Sequence, residues 1–162
     1  MFATKLQTNE IIIYNGHSFY GSLNVLDVPE NYPEDTYQII FMNSCWSYEY
    51  YTKQVFQAKS TEADTKGWAL ADVINNTTTA RFSQMETSTR VILTNLLAGA
   101  ESKGADEMGR KFSWQRIIGI INDEANGICP VDADPMDCRH YREQTNAEIY
   151  GVSGVRDNSF QP

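Results

Sequence analysis

The sequence predicts an α/β fold in which a mostly parallel β-sheet is flanked by helices. Short apolar runs of strand length alternate with longer segments of helical periodicity, and this alternation is typical of parallel strands joined by helical crossovers. The 162 residues, 41% of them hydrophobic, are enough for one substantial core. We therefore expect a single α/β domain over residues 1–162.

Strands are predicted where apolar runs are bounded by turn-forming residues. The clearest runs lie at 10–15 and 36–43, and a looser alternation predicts a third strand at 67–75. Residues 16–33, between the first two strands, contain glycine and prolines and are expected to form a loop or a short irregular segment. A final strand is predicted at 147–152.

Three helices complete the prediction. Residues 46–59 have helical spacing, and Ser44 or Ser47 is expected to cap this helix. Residues 113–124 predict a shorter helix that Asn126 and Gly127 stop. A long helix ending at Gly99 should bury one apolar stripe, formed by Met85, Thr89, Ile92, Leu93, Leu96 and Leu97.

The charge of the chain restricts its partners. A formal net charge of −8 and an isoelectric point near 4.7 argue against nucleic acid or an anionic membrane as the partner. No run of residues approaches the roughly 20 apolar residues that cross a bilayer, and the first residues lack the pattern of a signal peptide. We expect a soluble protein whose partner is a peptide or another protein.

Cys45, Cys129 and Cys138 are the three cysteines, too few for a disulfide framework. Cys129 and Cys138 bracket an irregular segment and could close a small loop, which would leave Cys45 free. A disulfide persists only in an oxidising compartment. The protein is therefore expected to be secreted or periplasmic if this pair forms and cytoplasmic otherwise.

The segment between these two cysteines is acidic. Asp132, Asp134 and Asp137 repeat a carboxylate every two or three residues, as loops that bind hard cations do. Pro135 interrupts the series, and no EF-hand pattern closes it. The three aspartates are a weak candidate calcium site, and no cofactor is expected to be required.

A histidine and a cysteine follow the first two predicted strands directly. His17 comes after the run that ends at Asn15, and Cys45 after the run that ends at Asn43. Because parallel strands deliver residues to the crevice outside their carboxyl ends, the two side chains should meet there. A helix N-terminus and a nearby imidazolium both favour the thiolate form of a cysteine. The sequence therefore predicts a catalytic Cys–His dyad, and the other histidine, His140, is assigned to a solvated basic patch.

The order of these residues resembles that of the caspase-like cysteine peptidases, a group that includes gingipains, clostripains, separases, metacaspases and caspases. The matching stretches are 15–18 and 43–45, and their short separation is closer in kind to gingipain-like bacterial members. The resemblance implies a three-layer sandwich that lacks its leading strands here. The chain would then be a fragment such as the C-terminal part of a longer catalytic domain, a processed chain or a reduced variant. Another segment or chain is a candidate source of the missing strands. Several members need calcium.

The chemistry assigns a role to each candidate residue. Cys45 is the expected nucleophile and His17 the expected general acid and base. The backbone N–H groups of Ser18 and Cys45 are the candidate oxyanion donors. Candidate substrate-binding residues are Asn43, Ser44, Trp46 and Asn75. For the aromatic residues near the cysteine, helix packing is favoured over a cleft at Trp46 and Tyr50, and the acidic candidates for a specificity pocket are Asp72 and Glu49.

Two other classes of function stay open. The chain could be an inactive caspase-like scaffold used for binding or regulation, in which Cys45 and His17 are relics. It could also be an unrelated flavodoxin-like binding protein, although no glycine-rich phosphate loop follows the first strand. Peptide hydrolysis is the principal hypothesis.

Overall fold

The computed structural model describes residues 2–127 and 149–154. Contacts divide the chain into two compact units, one formed by Met1–Ala80 with Gly151–Pro162 and the other by Arg81–Tyr150. The fold is α/β, with a four-stranded, mostly parallel sheet flanked by helices, as the sequence predicts. The assignment of all 162 residues to one domain stays a prediction.

The sheet has the strand order β1-β2-β3-β4, which is also the order along the chain. The strands are β1 (Ile11–Asn15), β2 (Gln38–Asn43), β3 (Ala71–Asn76) and β4 (Tyr150–Gly154). β1 and β3 both pair in parallel with β2, and in this register Asn15 lies opposite Asn43. All four predicted strands are therefore present, and β1 and β2 end where the sequence predicts.

Helix α2 (Ser47–Ala58) packs on one face of β2 and β3. Alternate residues of the strands point to this face, and Ile40, Met42 and Val73 are fully buried in a core that Tyr51 and Val55 of α2 complete. On the opposite face Phe41 and Ile74 are also fully buried. Burial on both faces explains why these strands appear in the sequence as continuous apolar runs.

The start of α2 differs from the prediction. Trp46, with φ of 53°, is the residue that precedes the helix, and neither predicted serine caps it. The Ser47 hydroxyl instead donates to the Met42 carbonyl and accepts the N–H of Asn76 at 2.8 Å. This buried serine therefore ties the helix start to β2 and β3 and does not cap the helix.

Two features before β2 were not resolved by the sequence patterns. Helix α1 (Phe2–Thr8) precedes β1 and buries only Leu6, so it is too short to give a clear amphipathic signal. The predicted irregular segment contains three short 3₁₀ turns, at Phe19–Gly21, Asn24–Asp27 and Pro29–Asn31. These turns supply Leu26 to the core beside α2.

The second unit contains α3 (Phe82–Glu101) and α4 (Trp114–Gly127), which pack together. The predicted buried stripe of α3 is wrong in part, since Leu93 and Leu97 are exposed. Helix α4 buries apolar residues at helical spacing, namely Trp114, Ile117, Ile118 and Ile121. The residues that α3 buries are Gln84, Met85, Ser88, Val91 and Ile92. Burial of polar residues is possible because the Ser88 hydroxyl bonds the Gln84 carbonyl at 2.8 Å, so the buried face cannot be found from apolar residues alone.

The loop between α3 and α4 is organised by Asp106. This carboxylate accepts the backbone N–H groups of Met108 and Arg110, at 3.0 and 2.9 Å, and forms ion pairs with the side chains of Arg110 and Arg116. Desolvation opposes its ionisation, but the hydrogen bonds and charge of Arg110 lower the pKa of Asp106 to about 2. The carboxylate therefore stays ionised throughout the ordinary pH range.

Lys59, at the end of α2, is a buried lysine with only 8% of its surface exposed. Its ammonium group donates to the Gln38 side-chain oxygen at 3.0 Å and to the Thr36 carbonyl at 3.2 Å, and it forms no ion pair with a carboxylate of the described residues. Desolvation lowers the pKa of Lys59 to about 8. The unfolded chain therefore binds more protons than the folded chain between pH 8 and about 10.4, the ordinary pKa of lysine.

This difference predicts a stability that rises with pH. The free energy of unfolding of the wild type, relative to Lys59→Met, should increase by about 2 kcal/mol between pH 7 and pH 10. Urea unfolding at several pH values measures it. Lys53→Met, which removes an exposed lysine of the same helix, is the matched control and should follow the wild-type curve. If the free energies of unfolding of the wild type and Lys59→Met change with pH in parallel, the lowered pKa of Lys59 is wrong.

Candidate active site

His17 and Cys45 line one groove at the carboxyl ends of β1 and β2. Each lies two residues beyond a strand end, and those strand ends, Asn15 and Asn43, are paired in register. The groove has a volume of about 640 Å³. We call it the dyad groove, and its lining residues are His17, Ser18, Phe19, Tyr20, Ser22, Cys45, Trp46, Tyr50 and Thr79.

Polar contacts between the ends of β1 and β2 hold the two turns side by side. The Asn43 side-chain amide donates to the Asn15 side-chain oxygen at 2.8 Å, and the Gly16 N–H donates to the Asn43 carbonyl at 3.2 Å. Asn43 is fully buried, so these bonds are shielded from competing water. The parallel register of β1 and β2 therefore sets the positions of His17 and Cys45 relative to each other.

The backbone that carries His17 is fixed by two tyrosines. The Tyr14 hydroxyl donates to the His17 carbonyl at 2.9 Å, and the Tyr51 hydroxyl donates to the Ser18 carbonyl. Burial raises the pKa of both phenols above its ordinary value, so both remain protonated donors at neutral pH. The His17 ring is exposed and meets the edge of Phe19, with ring centroids 6.1 Å apart.

Cys45 is half-buried and lies just before the N-terminus of α2, as the sequence predicts. The Trp46 N–H donates to the Thr78 carbonyl at 2.8 Å, which joins the cysteine turn to the loop after β3. The Cys45 Sγ lies 3.8 Å from the Ala80 carbonyl oxygen. The thiol is therefore placed between a helix start and a neighbouring loop while part of it stays accessible from the groove.

The two candidate oxyanion donors are available. Within residues 2–127 and 149–154, the backbone N–H groups of Ser18 and Cys45 donate no hydrogen bond. Both residues line the dyad groove. An anion that develops beside the Cys45 sulfur could accept from donors that folding has not already used.

Backbone strain is concentrated around the groove. Among the described residues four non-glycine residues have positive φ, and three of them line the groove: Phe19 at 48°, Tyr20 at 52° and Trp46 at 53°. Such conformations cost about 1–3 kcal/mol each and tend to cluster at active sites and ligand-binding segments. These three side chains are also exposed, by 55%, 89% and 46% respectively. The fold holds three exposed aromatic residues in strained positions beside the dyad.

The candidate substrate-binding residues separate into two groups. Trp46 lines the groove and is exposed, so the packing role favoured for it is wrong, whereas Tyr50 is half-buried and both lines the groove and packs on the core. Asn43, Ser44 and Asn75 are fully buried and are not part of the lining. Asn75 faces α2, where its amide donates to the Thr52 hydroxyl at 2.9 Å.

The two acidic candidates for a specificity pocket lie elsewhere. Asp72 is buried near the amino end of β3 and accepts the Tyr37 hydroxyl, whereas the dyad is at the carboxyl ends of the strands. Glu49 lines a separate cavity of about 600 Å³ along α2, together with Lys53, Lys66 and Trp68. Neither carboxylate lines the dyad groove.

Several predicted features fall outside the description. Asp132, Asp134 and Asp137, the candidate calcium ligands, lie outside the described residues, as do Cys129, Cys138 and His140. In the described part of the chain, no three histidine, cysteine or acidic side chains are grouped as metal ligands, and Cys45 is a free thiol. No described helix has the length and apolar character needed to cross a bilayer.

The patterns in the sequence missed Phe19, Tyr20, Ser22 and Thr79 as groove residues. The sequence patterns predict residues 16–33 only as a connection, although two adjacent aromatic residues within three positions of a candidate catalytic histidine are a usable signal. Binding residues often lie on loops, and tyrosine and tryptophan are enriched at interfaces. Thr79 carried no such signal, since its position depends on the contact between the two loops.

Comparisons with protein-family models, with curated proteins and with solved structures give no match to this chain. The site must therefore be interpreted from its own geometry.

Proposed function

We propose that the protein is a cysteine endopeptidase in which Cys45 and His17 form the catalytic dyad. The observation that carries this proposal is their placement in one groove, at equivalent positions beyond two adjacent parallel strands. The unused N–H groups and the strained aromatic residues around the dyad support it further. The resemblance to caspase-like peptidases, with a three-layer sandwich, is part of the same proposal.

The mechanism follows from the roles of these groups. The Cys45 thiolate attacks the peptide carbonyl carbon, and the N–H groups of Ser18 and Cys45 stabilise the oxyanion of the tetrahedral intermediate. The His17 imidazolium donates a proton to the departing amine as the C–N bond breaks, which leaves a thioester on Cys45. Neutral His17 then takes a proton from water, whose oxygen attacks the thioester carbonyl. Collapse of that intermediate releases the carboxyl product and restores the thiolate and imidazolium.

The alternative is an inactive scaffold of the same fold that binds peptide or protein partners. The groove and its aromatic residues would serve such a role equally well, since they contact a ligand whether or not it is cleaved. Turnover distinguishes the two, and the flavodoxin-like alternative has no comparable support from the groove.

A peptide library in which every amino-acid type occurs at the position before the scissile bond tests the proposal directly. Wild-type protein and Cys45→Ala are incubated with the library, with and without calcium, and the products are identified by mass spectrometry. Cleavage by the wild type that is absent in Cys45→Ala is the expected result. If wild type and variant give the same products, or none, the peptidase proposal is wrong and the scaffold is favoured.

Thiol reactivity provides a second test that needs no substrate. Cys45 should react with iodoacetamide at neutral pH at least about tenfold faster in the wild type than in His17→Ala, because His17 is the proposed base that removes the thiol proton. Peptide mapping after timed labelling measures each cysteine separately, so Cys129 and Cys138 act as internal references. Equal Cys45 rates in both proteins would exclude a functional Cys45–His17 pair.

A further inference from the structure

We infer that the dyad groove selects peptides with an uncharged aromatic or large apolar side chain beside the scissile bond. This inference names a substrate class for the proposed peptidase and rests on that proposal for the cleavage step. The recognition itself depends only on the groove, so it can be tested separately by binding.

The first argument is that, apart from the proposed dyad, the described lining has no charged side chain. Among the nine described residues that line the groove there is no aspartate, glutamate, lysine or arginine. A charged substrate side chain that leaves water is accommodated only where an opposite charge or several hydrogen bonds replace its hydration. The lining offers hydroxyl groups and aromatic rings instead, so arginine, lysine, aspartate and glutamate side chains are disfavoured in it.

The carboxylates that could have served lie outside the groove. Asp72 is buried at the other end of the sheet, and Glu49 belongs to the separate cavity along α2 that also contains two lysines. A basic side chain in the dyad groove therefore has neither of these carboxylates in the wall beside it. Specificity for basic or acidic residues would need a feature that the lining lacks.

The second argument is the aromatic wall. Phe19, Tyr20 and Trp46 project as exposed rings although the backbone of each is strained, and exposure of three large aromatic residues is costly unless a ligand covers them. Tyr50 is the fourth aromatic residue of this wall, and its packing against the core holds it in place. A Cβ added to Gly21, whose φ is 81°, would lie 3.3 Å from the Tyr50 ring, so the glycine allows the loop and the ring to pack closely.

Aromatic and apolar side chains gain most from such a wall. Stacked or edge-to-face ring pairs add to the free energy of burying apolar surface, and the rings themselves lose little conformational entropy on binding. A polar side chain of similar size gains neither the ring contacts nor the free energy of burying apolar surface. Together with the missing charges, the wall favours phenylalanine, tyrosine, tryptophan, leucine and methionine in the peptide.

The cleavage test uses the wild-type protein and a library that varies only the residue before the scissile bond. Cleavage that depends on Cys45 should be at least about tenfold more efficient after aromatic and large aliphatic residues than after Arg, Lys, Asp or Glu. Trp46→Ala should lower kcat/KM for the aromatic substrates about tenfold. Tyr48→Ala is the matched control, because Tyr48 is equally exposed, at 49%, but lines the other cavity.

A binding test separates the two proposals. Calorimetric titration of Cys45→Ala with phenylalanine-containing and arginine-containing peptides of equal length should show tighter binding of the former, and Trp46→Ala in the same background should abolish that preference. If Cys45-dependent cleavage occurs mainly after charged residues, the substrate class is wrong while the peptidase proposal stands. If no cleavage occurs but the binding preference is present, the groove inference stands and the peptidase proposal fails. Equal binding of both peptides overturns the inference.

Discussion

Replacing either Cys45 or His17 with alanine is expected to lower peptide hydrolysis by about four orders of magnitude, and replacing both should lower it no further. The reason is that a nucleophile and its proton-transfer partner act as one unit, so removing either removes the covalent pathway. Turnover of one efficiently cleaved library peptide, measured for the wild type, the two single variants and the double variant, gives the complete cycle.

The controls concern folding and the choice of histidine. Cys45→Ala should change the free energy of unfolding by less than about 1 kcal/mol, because the half-buried thiol makes only a weak contact with the Ala80 carbonyl. His140→Ala, which removes the other histidine of the chain, should retain wild-type turnover. Losses that add in the double variant would contradict a shared mechanism, and retained turnover in either single variant would remove that residue from the dyad.

Gly67→Ala is expected to destabilise the protein by about 3 kcal/mol, the largest effect on stability that we predict for one methyl group. Gly67 is buried with φ of 70°, and a Cβ there would lie 1.9 Å from the Phe56 carbonyl oxygen. The clash is with the backbone of α2, which cannot move aside as a flexible side chain can. Thermal or urea unfolding of the variant measures the loss.

The chain contains a matched control for this substitution. Gly67 and Gly109 both close an Asp-x-x-Gly turn, in which the glycine N–H donates to the carbonyl of Asp64 or Asp106, at 3.1 and 2.8 Å. Gly109 has nearly the same φ, 73°, but its added Cβ would meet no atom within 4 Å. Gly109→Ala should therefore cost only the conformational strain, about 1 kcal/mol. Equal losses at both positions would show that the contact with Phe56 is unimportant.

Much of the fold could be predicted because its strands are buried on both faces. Burial of Ile40, Phe41 and Ile74 requires continuous apolar runs, and such runs are visible without any knowledge of contacts. The helices could be predicted from the spacing of their apolar residues, because burial of one helix face also requires apolar residues there. The errors occur where buried residues are polar, as with Ser88 in α3, or where a helix is too short to show a period, as with α1.

The candidate site was predictable in its two reactive residues and not in its surroundings. His17 and Cys45 each lie two residues beyond a strand in the sequence, and the parallel register then brings them to one edge of the sheet. The buried environment of Asn43, Ser44 and Asn75 depends on neighbours from other strands and from α2, so the proximity of Asn43 and Ser44 to Cys45 in sequence was misleading. The same dependence places Asp72 and Glu49 outside the groove.

The sequence by itself determined the strands, the main helices and the positions of a histidine and a cysteine after two strand ends. These are local properties, since each depends on the hydrophobicity of a few consecutive residues. The tertiary structure alone decided which side chains form the groove, that its described lining contains no aspartate, glutamate, lysine or arginine, and that Phe19, Tyr20 and Trp46 are exposed in strained conformations. These properties arise from contacts between segments far apart in the chain, and only the packing of those segments fixes them.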